Sequence, residues 1–217
     1  MENNFAEVRI CPVPRPRRTQ QERVEESTQR LFQAAAELIA QGGYDAATAA
    51  EIGRRAGYSR AMVRARFGSK EQLTDALIRF AYEAPLTASL PESATGMEHV
   101  LARIDTMGRL VEENPALLRM LFAVEFQAAG KGSGMADRAA GWVSRLRSDT
   151  LEALRKGQRD GSIKSELDAE ATAHGIVVEG VGSAFLWTVD PAEDFRRRID
   201  QWRARTVRTL RPQRRRE

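Results

Sequence analysis

Apolar residues recur along the chain three and four positions apart, and short polar or glycine-containing segments separate these runs. This spacing puts the apolar side chains on one face of an α-helix, so each run predicts an amphipathic helix. No segment shows a convincing alternation of apolar and polar residues that would predict a strand. The pattern therefore predicts an all-α protein with about nine helices.

The first four predicted helices have clear start and stop signals. Side-chain N-caps are predicted at Thr19, Thr48, Ser59 and Ser69, and glycines at 42–43, 57 and 68 would end the first three helices. Glu22 and Gln72 stand three residues after two of these caps and would complete capping boxes. The apolar faces include Val24, Leu31, Ala35, Leu38 and Ile39 in the first helix and Leu73, Leu77, Phe80 and Ala81 in the fourth.

Five further helices are predicted after residue 85. The second of them is apolar on nearly all sides, which predicts that it is buried or lines a cavity. The third would run from about Met135 to about Arg159 with Val143, Leu146, Thr150 and Leu154 facing inward. Asn114-Pro115 marks the start of the second of these helices. Asp168 marks the start of the fourth, which would end near Val189, and Asp190-Pro191 with Glu193 marks the start of the last.

The breaks between helices divide the chain into four segments. Residues 1–18 are rich in proline and arginine and predict a flexible basic arm, and residues 212–217 predict a basic tail. Pro85 and the stretch PESATG mark a boundary between a helical module at 19–85 and a larger one at 86–211. The fourth helix would join the two modules.

Charge is distributed unevenly, although the net formal charge is only +4. Residues 1–85 carry +2, residues 86–194 carry −6 and residues 195–217 carry +8. Between Glu51 and Glu71 the chain has six cations and no acid: Arg54, Arg55, Arg60, Arg64, Arg66 and Lys70. A solvated surface normally mixes both signs of charge, so this run favours an anionic partner over a simple exposed face.

The second and third helices form a helix-turn-helix pattern. Two short helices are joined by Gly57, Tyr58 and Ser59, and glycine suits the left-handed residue that such a turn needs. On a helical wheel, Val63 and Phe67 point toward the first helix. The opposite face would carry Ala61, Met62 and Ala65, flanked by Arg60, Arg64 and Arg66. In this motif the second helix enters the major groove of DNA, where arginines bind phosphates or guanine.

The stretch AAAELIAQGGYDAATAAEIGRRAGYSRAMVRARFGSKEQL resembles the N-terminal DNA-binding region of the TetR family of bacterial transcriptional regulators. The matching residues keep their spacing without a gap: Gly43-Tyr44, Thr48, Ile52, Ala56-Gly57, Ser59, Val63, Phe67, Ser69-Lys70-Glu71 and Leu73. Beyond this stretch, only the helix count and the DGSIKSELDAE connection resemble the family.

The resemblance implies a role for residues of the first module. Thr48, at a helix N-terminus, would hold a phosphate, which the helix dipole also favours. The residues that would face bases are Arg60, Ala61, Met62 and Ala65, and those that would clamp phosphates are Arg64, Arg66 and Lys70, with Ser59 as the cap of the third helix. The family usually has glycine at Ala61, threonine at Met62, tyrosine at Arg64 and histidine or tyrosine at Arg66. Base reading should therefore rest on Arg60 and on apolar contact with thymine methyl groups.

The resemblance also implies that residues 86–211 bind an effector and form a homodimer. One recognition helix reads few bases, and a two-fold dimer matches a palindromic operator. The last two long helices are the expected dimer face, because small residues there permit close approach: Ala173, Gly175, Gly180, Gly182 and Ala184. Tight packing within one subunit is the alternative explanation for these residues.

A small, mostly apolar effector would need a cavity among these helices. Its candidate lining is Met107, Leu110, Met120, Phe122, Phe126, Trp142 and Phe185, each of which has an ordinary core side chain as its alternative role. Glu125 differs from them, because a carboxylate on an apolar helix is costly unless it is paired or solvated. It is either a polar group of the cavity or the partner of a nearby arginine such as Arg119.

The remaining observations narrow the class of protein. The only histidines, His99 and His174, and the single cysteine, Cys11, have no zinc-ligand spacing, and no metal or cofactor is expected. No nucleophile–base pattern predicts an enzyme, and no aromatic residues alternate with the arginines as in RNA-binding surfaces. No apolar signal segment or membrane-spanning run is present, so a soluble protein of the cytoplasm is expected.

Together, the motif and the resemblance predict a homodimeric repressor that binds a palindromic double-stranded DNA operator and is released by a small effector. The first alternative is a regulator that activates transcription or uses no small ligand. A small α-helical enzyme formed by residues 86–211 is a weaker alternative. The arginines of the arm, Arg15, Arg17 and Arg18, could reach a minor groove.

Overall fold

The computed structural model of the chain describes residues 19–87, 90–129, 134–190 and 192–212, and the regular structure in these ranges is entirely helical. The first module contains α1 (Gln20–Gly42), a 3₁₀ turn (Tyr44–Ala46), α2 (Ala49–Ala56), α3 (Arg60–Phe67) and α4, which begins as Lys70–Ile78, continues as a π-helical segment (Arg79–Glu83) and ends as Ala84–Leu86. The second contains α5 (Gly96–Glu113), α6 (Pro115–Ala129), α7 (Gly134–Asp160), α8 (Ala169–Val189) and α9 (Phe195–Leu210). The prediction of an all-α chain with about nine helices is confirmed.

The helix boundaries of the first module follow its caps. Thr19 Oγ1 accepts a hydrogen bond from the backbone N–H of Glu22 at 3.2 Å, and the Glu22 carboxylate accepts one from the N–H of Thr19 at 2.7 Å. Ser69 and Gln72 form the same reciprocal pair at the start of α4. Gly57 ends α2 with φ of 79°, a left-handed conformation that a β-carbon would strain. The predicted caps and capping boxes are confirmed.

One continuous apolar core joins the two modules. Buried side chains of α1 to α4, such as Leu31, Ile52 and Ile78, belong to the same cluster as Leu121 in α6 and Ile199 in α9. Helix α1 packs against α6, so the first module is held on the second by α1 as well as by the chain connection through α4. The two modules are therefore connected by packed side chains as well as by the chain itself.

The π-helical segment changes which side of α4 faces the core. A π-helix has more residues per turn than an α-helix, so the inward positions after it are displaced by one residue. Tyr82 and Leu86 are buried, whereas Phe80, predicted to face inward, is 51% exposed. The Phe80 ring instead packs on Phe32 of α1 with centroids 5.1 Å apart.

Three other predictions about the helices are wrong. Val24 and Val143 are 42% and 39% exposed rather than inward-facing. Val24 lies in the first turns of α1 before the continuous core begins, and Val143 lies where a cavity opens to solvent. The cap of α9 is Asp194 rather than the Asp190 turn, because the Asp194 carboxylate accepts from the N–H of Arg197 at 2.9 Å.

Helices α5 and α7 approach each other closely at a glycine. A β-carbon on Gly96 would overlap the backbone of Gly157 and the carbonyl oxygen of Ala153. We expect Gly96→Ala to lower the free energy of unfolding by about 1–3 kcal/mol, because backbone atoms must move apart. The control is Gly141→Ala in α7, where a β-carbon meets nothing within 4 Å. Chemical denaturation measures the free energy of unfolding of both variants. That control should be neutral or stabilising by up to about 1 kcal/mol, and equal losses in the two variants would contradict the prediction.

Candidate functional site

The helix-turn-helix is formed by α2, the turn at residues 57–59 and α3. Ser59 Oγ caps α3 by accepting from the N–H of Met62 at 3.1 Å. Val63 is 2% exposed, and the Phe67 ring lies 5.4 Å from that of Phe32 in α1. These contacts hold one side of α3 against the module core, so the opposite side faces outward.

The outward side of α3 carries two arginines and two alanines. Arg60, Ala61, Arg64 and Ala65 are all exposed. Within the part of the chain that the structure describes, Arg60 and Arg64 have no hydrogen-bond or ion-pair partner. The alanines between them leave the helix backbone accessible, so a flat ligand surface can approach closely. Met62, predicted on this side, is instead half-buried and packs against the module core.

Most of the predicted phosphate-binding residues line one depression between α2, α3 and α4. Thr48, Arg64 and Lys70 all contribute to it, together with Ser69, the cap of α4. Thr48 Oγ1 accepts from the N–H of Glu51 at 3.2 Å, which leaves its own O–H available to donate. The N-termini of α2 and α4 both begin beside this depression, and helix N-termini favour anions. The arrangement suits a phosphate group.

Arg66 has a different position from the one predicted. Its Nη1 donates to the carbonyl oxygen of Val24 and to Thr28 Oγ1, each at 3.1 Å, and also to Ser27 Oγ. All three acceptors lie on α1. The Arg66 side chain therefore joins α3 to α1 in this structure instead of standing free for a phosphate.

Acids from outside the predicted cation run compensate part of its charge. Glu51 pairs with Arg54, and this hydrogen bond lowers the pKa of the Glu51 carboxyl. Arg55 Nη1 lies 3.6 Å from Glu37 of α1. Lys70 Nζ lies 3.4 Å from Asp45 in the 3₁₀ turn. The six cations thus have different environments, and among the described residues only Arg60 and Arg64 of the six have no partner.

The second module contains a cavity of about 590 Å³ among α4 to α9. Five of the eight predicted residues line it: Met107, Phe122, Glu125, Phe126 and Trp142. Leu110 lines a separate groove beside α1, and Met120 packs against the apolar core. Phe185 is 47% exposed and meets Phe126 edge-on with ring centroids 5.3 Å apart. Leu110, Met120 and Phe185 are therefore not part of this cavity wall.

Glu125 belongs to a buried ion network that links the cavity to α4. Its carboxylate accepts from the Tyr82 hydroxyl and from Arg138 Nη2. Arg138 Nη1 also donates to Glu83, and its Nε lies 2.8 Å from Asp75 Oδ1. One guanidinium therefore contacts carboxylates on α4 and on α6. We call Tyr82, Glu83, Glu125, Arg138 and Asp75 the Arg138 network.

The partner predicted for Glu125 was wrong. Arg119 does not reach this carboxylate; its guanidinium carbon lies 4.7 Å from the ring centroid of Trp187. Nothing in the local sequence pattern points to Arg138, which stands in a mixed stretch on another helix. Burial raises the pKa of Glu125, although Tyr82 and Arg138 oppose that rise. Burial and the Glu125 charge raise the pKa of Tyr82 well above its ordinary value, which keeps the hydroxyl protonated.

The small residues of α8 have two different environments. Ala173 and Ala184 are buried within the subunit, and a β-carbon on Gly180 would lie 2.8 Å from the Trp202 ring of α9. Gly175 and Gly182 are exposed, with open space where a β-carbon would be. They share one side of the helix with exposed apolar residues. We call this side the α8 stripe: Gly175, Val178, Gly182, Phe185, Leu186 and Val189.

Several predictions concern segments outside the described residues. The basic arm at 1–18, with Cys11, and all but the first residue of the tail at 212–217 are among them. In the described ranges, no helix combines the length and the apolar character needed to cross a bilayer. In the same ranges, His, Cys, Asp and Glu side chains form no group that could hold a metal ion.

Comparison with known proteins identifies the first module. Residues 31–77 match the family model for bacterial regulatory proteins of the tetR family. This stretch is thus similar to the N-terminal DNA-binding domain of TetR-family regulators. The match covers the helix-turn-helix and the start of α4, so the resemblance read from the sequence is confirmed. No match was found among curated protein sequences.

Solved TetR-family structures share the whole fold. SmeT, the repressor of the Stenotrophomonas maltophilia multidrug efflux pump SmeDEF, is similar with a TM-score of 0.69 and 17% identity, over 86% of this chain and 93% of SmeT. TylP, a TetR regulator from Streptomyces fradiae, has a TM-score of 0.66 and 20% identity, over 88% and 89% of the two chains. A TetR-like transcriptional regulator from Rhodococcus sp. RHA1 has a TM-score of 0.58 and 19% identity, over 84% and 94%. The chain therefore has the fold of these TetR-family regulators.

Proposed function

We propose that this chain is a homodimeric repressor that binds a palindromic operator and is released by a small, mostly apolar effector. One observation carries the DNA-binding part: Arg60 and Arg64 stand exposed and unpaired, among the described residues, on the outward side of α3. Desolvating two free guanidiniums is favourable only against an anion, and the phosphates and guanine edges of DNA provide acceptors in the right geometry. The depression at Thr48 and Lys70 adds a phosphate site beside this helix.

The α8 stripe supports the dimer. It presents exposed apolar side chains along one side of a 21-residue helix, and such contiguous exposure marks an interaction surface. Its exposed glycines allow a second helix to approach closely. A second copy of the chain placed against the stripe by a two-fold axis would present two α3 helices to successive major grooves.

The cavity supports control by a ligand. Its wall is predominantly apolar and its volume lies within the usual range for small-molecule sites. Tyr82 and Leu86 of α4 form part of that wall, while Leu73 and Leu77 of the same helix belong to the core around α3. A ligand that favours a different position of α4 would shift the population toward a dimer whose recognition helices no longer match the two half-sites. We propose repression rather than activation because SmeT, which has the same fold, is a repressor.

The DNA-binding part is tested by a binding selection. Purified protein is incubated with random and genomic duplexes, and the retained DNA is sequenced for the wild type, Arg60→Ala and Arg64→Ala. We expect a palindrome, relaxed in sequence by Arg60→Ala because a base contact is lost, at a cost of about 1–3 kcal/mol. Arg64→Ala should weaken all sequences alike and lower the slope of log affinity against log salt by about 1, because a phosphate contact is lost.

Arg198→Ala provides the matched control for this selection. Arg198 is also an exposed arginine but lies on α9, where it pairs with Glu193. It should retain the wild-type operator and the wild-type salt dependence. If no sequence is enriched, or if both α3 variants bind like this control, α3 does not read DNA.

A further inference from the structure

The cavity wall has an uneven charge. Of the described residues that line it, three are charged: Arg103, Arg147 and Glu125. Glu125 is already paired with Arg138 and Tyr82 through both carboxylate oxygens. Arg147 has no ion-pair partner among the described residues and Arg103 has only the partly exposed Asp149, so these two arginines are the charged groups of the wall that a ligand could still match.

The two arginines lie at the same end of the cavity. Arg103 Nη1, on α5, lies 3.5 Å from Thr150 Oγ1 of α7. Arg147 precedes Thr150 by three positions, so the two residues are neighbours on one side of α7. The acidic residue of the wall, Glu125, pairs with Arg138, which precedes Arg147 by nine positions on α7. At the rise of an α-helix, this places Glu125 at the other end of the cavity, about 13 Å from Arg147 along the helix. The cavity thus has a basic end and an acidic end with apolar side chains between them.

The basic end is also where a charged ligand could enter. The residues of α7 that are both exposed and part of the wall are Ala140, Val143, Ser144 and Arg147. They follow one another on one side of the helix, so the cavity opens along that side. Arg147 stands at this opening and has no ion-pair or hydrogen-bond partner within the described ranges.

Arg103 is only partly compensated by the protein. Its Nη2 lies 3.3 Å from Asp149 Oδ2, and that carboxylate is itself 40% exposed. Burial lowers the pKa of Arg103, and Asp149 and Glu152 oppose that change only in part. A further anion would therefore stabilise the charged form of this partly buried guanidinium.

We infer that the effector is an amphipathic monoanion, whose carboxylate-like head binds Arg103 and Arg147 and whose apolar body lies against Met107, Phe122 and Trp142. This inference rests on the effector part of the proposed function and specifies the ligand class. The paired carboxylate of Glu125 at the far end disfavours a second anionic group, so a monoanion is preferred to a dianion. The same end offers a cation no unpaired carboxylate.

Three probes with the same ten-carbon chain test the head group: decanoate, decan-1-ol and decyltrimethylammonium. Their affinities for the full-length protein, free of DNA, are measured by calorimetry and by tryptophan fluorescence, since Trp142 lies in the wall. We expect decanoate to bind about tenfold or more tightly than decan-1-ol, because charge-assisted hydrogen bonds to two guanidiniums are gained. The ammonium probe should bind most weakly.

Variants locate the head group. Arg103→Gln and Arg147→Gln should each reduce decanoate affinity by about tenfold and leave decan-1-ol affinity unchanged. Arg155→Gln is the matched control, because Arg155 is an exposed arginine of α7 outside the cavity wall. Arg147 is exposed, so its variant should fold normally even if the Arg103 variant does not.

The outcomes separate this inference from the rest of the proposal. Equal affinity for decanoate and decan-1-ol, or tightest binding of the ammonium probe, overturns the monoanion and leaves the cavity as an effector site. Failure of all three probes to bind the wild type overturns both the monoanion and the effector part of the proposed function. The operator selection is independent of these measurements and continues to test DNA binding.

Discussion

Arg138→Met is expected to lower the free energy of unfolding by about 3–5 kcal/mol, the usual cost of removing one partner from a buried ion pair. The Arg138 guanidinium contacts Glu83, Glu125 and Asp75, and the first two side chains are only 7% and 11% exposed. Methionine fills a similar volume but leaves these carboxylates without their cation. Chemical denaturation followed by circular dichroism measures the loss.

The same substitution should show a characteristic pH dependence. Burial raises the folded-state pKa of Glu125, so its contribution to stability is present below the ordinary carboxyl pKa and is lost as pH rises through the raised value. Arg138 is one of the groups that hold this pKa down, and removing it raises the pKa further. The destabilisation by Arg138→Met should therefore be largest at neutral pH and shrink at mildly acidic pH.

Arg155→Met is the control for both measurements. Arg155 pairs with Glu170 on the surface, where such a pair contributes at most about 1 kcal/mol. If Arg138→Met costs no more than Arg155→Met, or if its cost is the same at both pH values, the Arg138 network does not hold α4 on α6 electrostatically.

Glutamate substitutions in the α8 stripe should abolish the dimer. Val178 and Leu186 are 53% and 52% exposed in the isolated subunit, so Val178→Glu with Leu186→Glu should not disturb its fold. A two-fold interface would bury four unpaired carboxylates, which is strongly unfavourable. Analytical ultracentrifugation should find a monomer. Affinity for the selected operator should fall toward the non-specific level, about 10³-fold or more, because the two half-sites are no longer bound together.

Val24→Glu tests whether the effect belongs to the stripe. Val24 is also an exposed valine, at 42%, but it lies on α1. This variant should remain dimeric by ultracentrifugation. A doubly substituted α8 protein that still sediments as a dimer would place the subunit interface elsewhere on the chain.

The features that could be predicted from the sequence are those that depend on residues a few positions apart in the chain. Caps such as Thr48 and Ser59 act on N–H groups three positions later, so their effect can be read directly from the chain. The outward side of α3 follows from helical periodicity once Val63 is assigned to the core. The helix-turn-helix could therefore be predicted from the sequence, apart from the positions of the Met62 and Arg66 side chains.

Features that depend on distant parts of the chain were not predictable. The π-helical segment of α4 shifts Phe80 outward, and nothing in the local apolar spacing indicates it. Arg138 lies 55 positions from Glu83, so their pairing depends on how α4 and α7 pack. The same holds for Arg66, which looked like a DNA contact because only its own helix was considered.

The position of Arg66 shows that different residues of α3 attach the helix to the protein and face outward. Arg66 and Phe67 fasten the helix to α1 and Val63 is buried in the module core, whereas Arg60, Ala61 and Ala65 on the exposed side contribute almost nothing to that attachment. Substitutions at the exposed positions would leave the packing of α3 against α1 intact. In the proposed regulator, mutation and selection can therefore alter operator preference through small steps, without passing through unfolded intermediates.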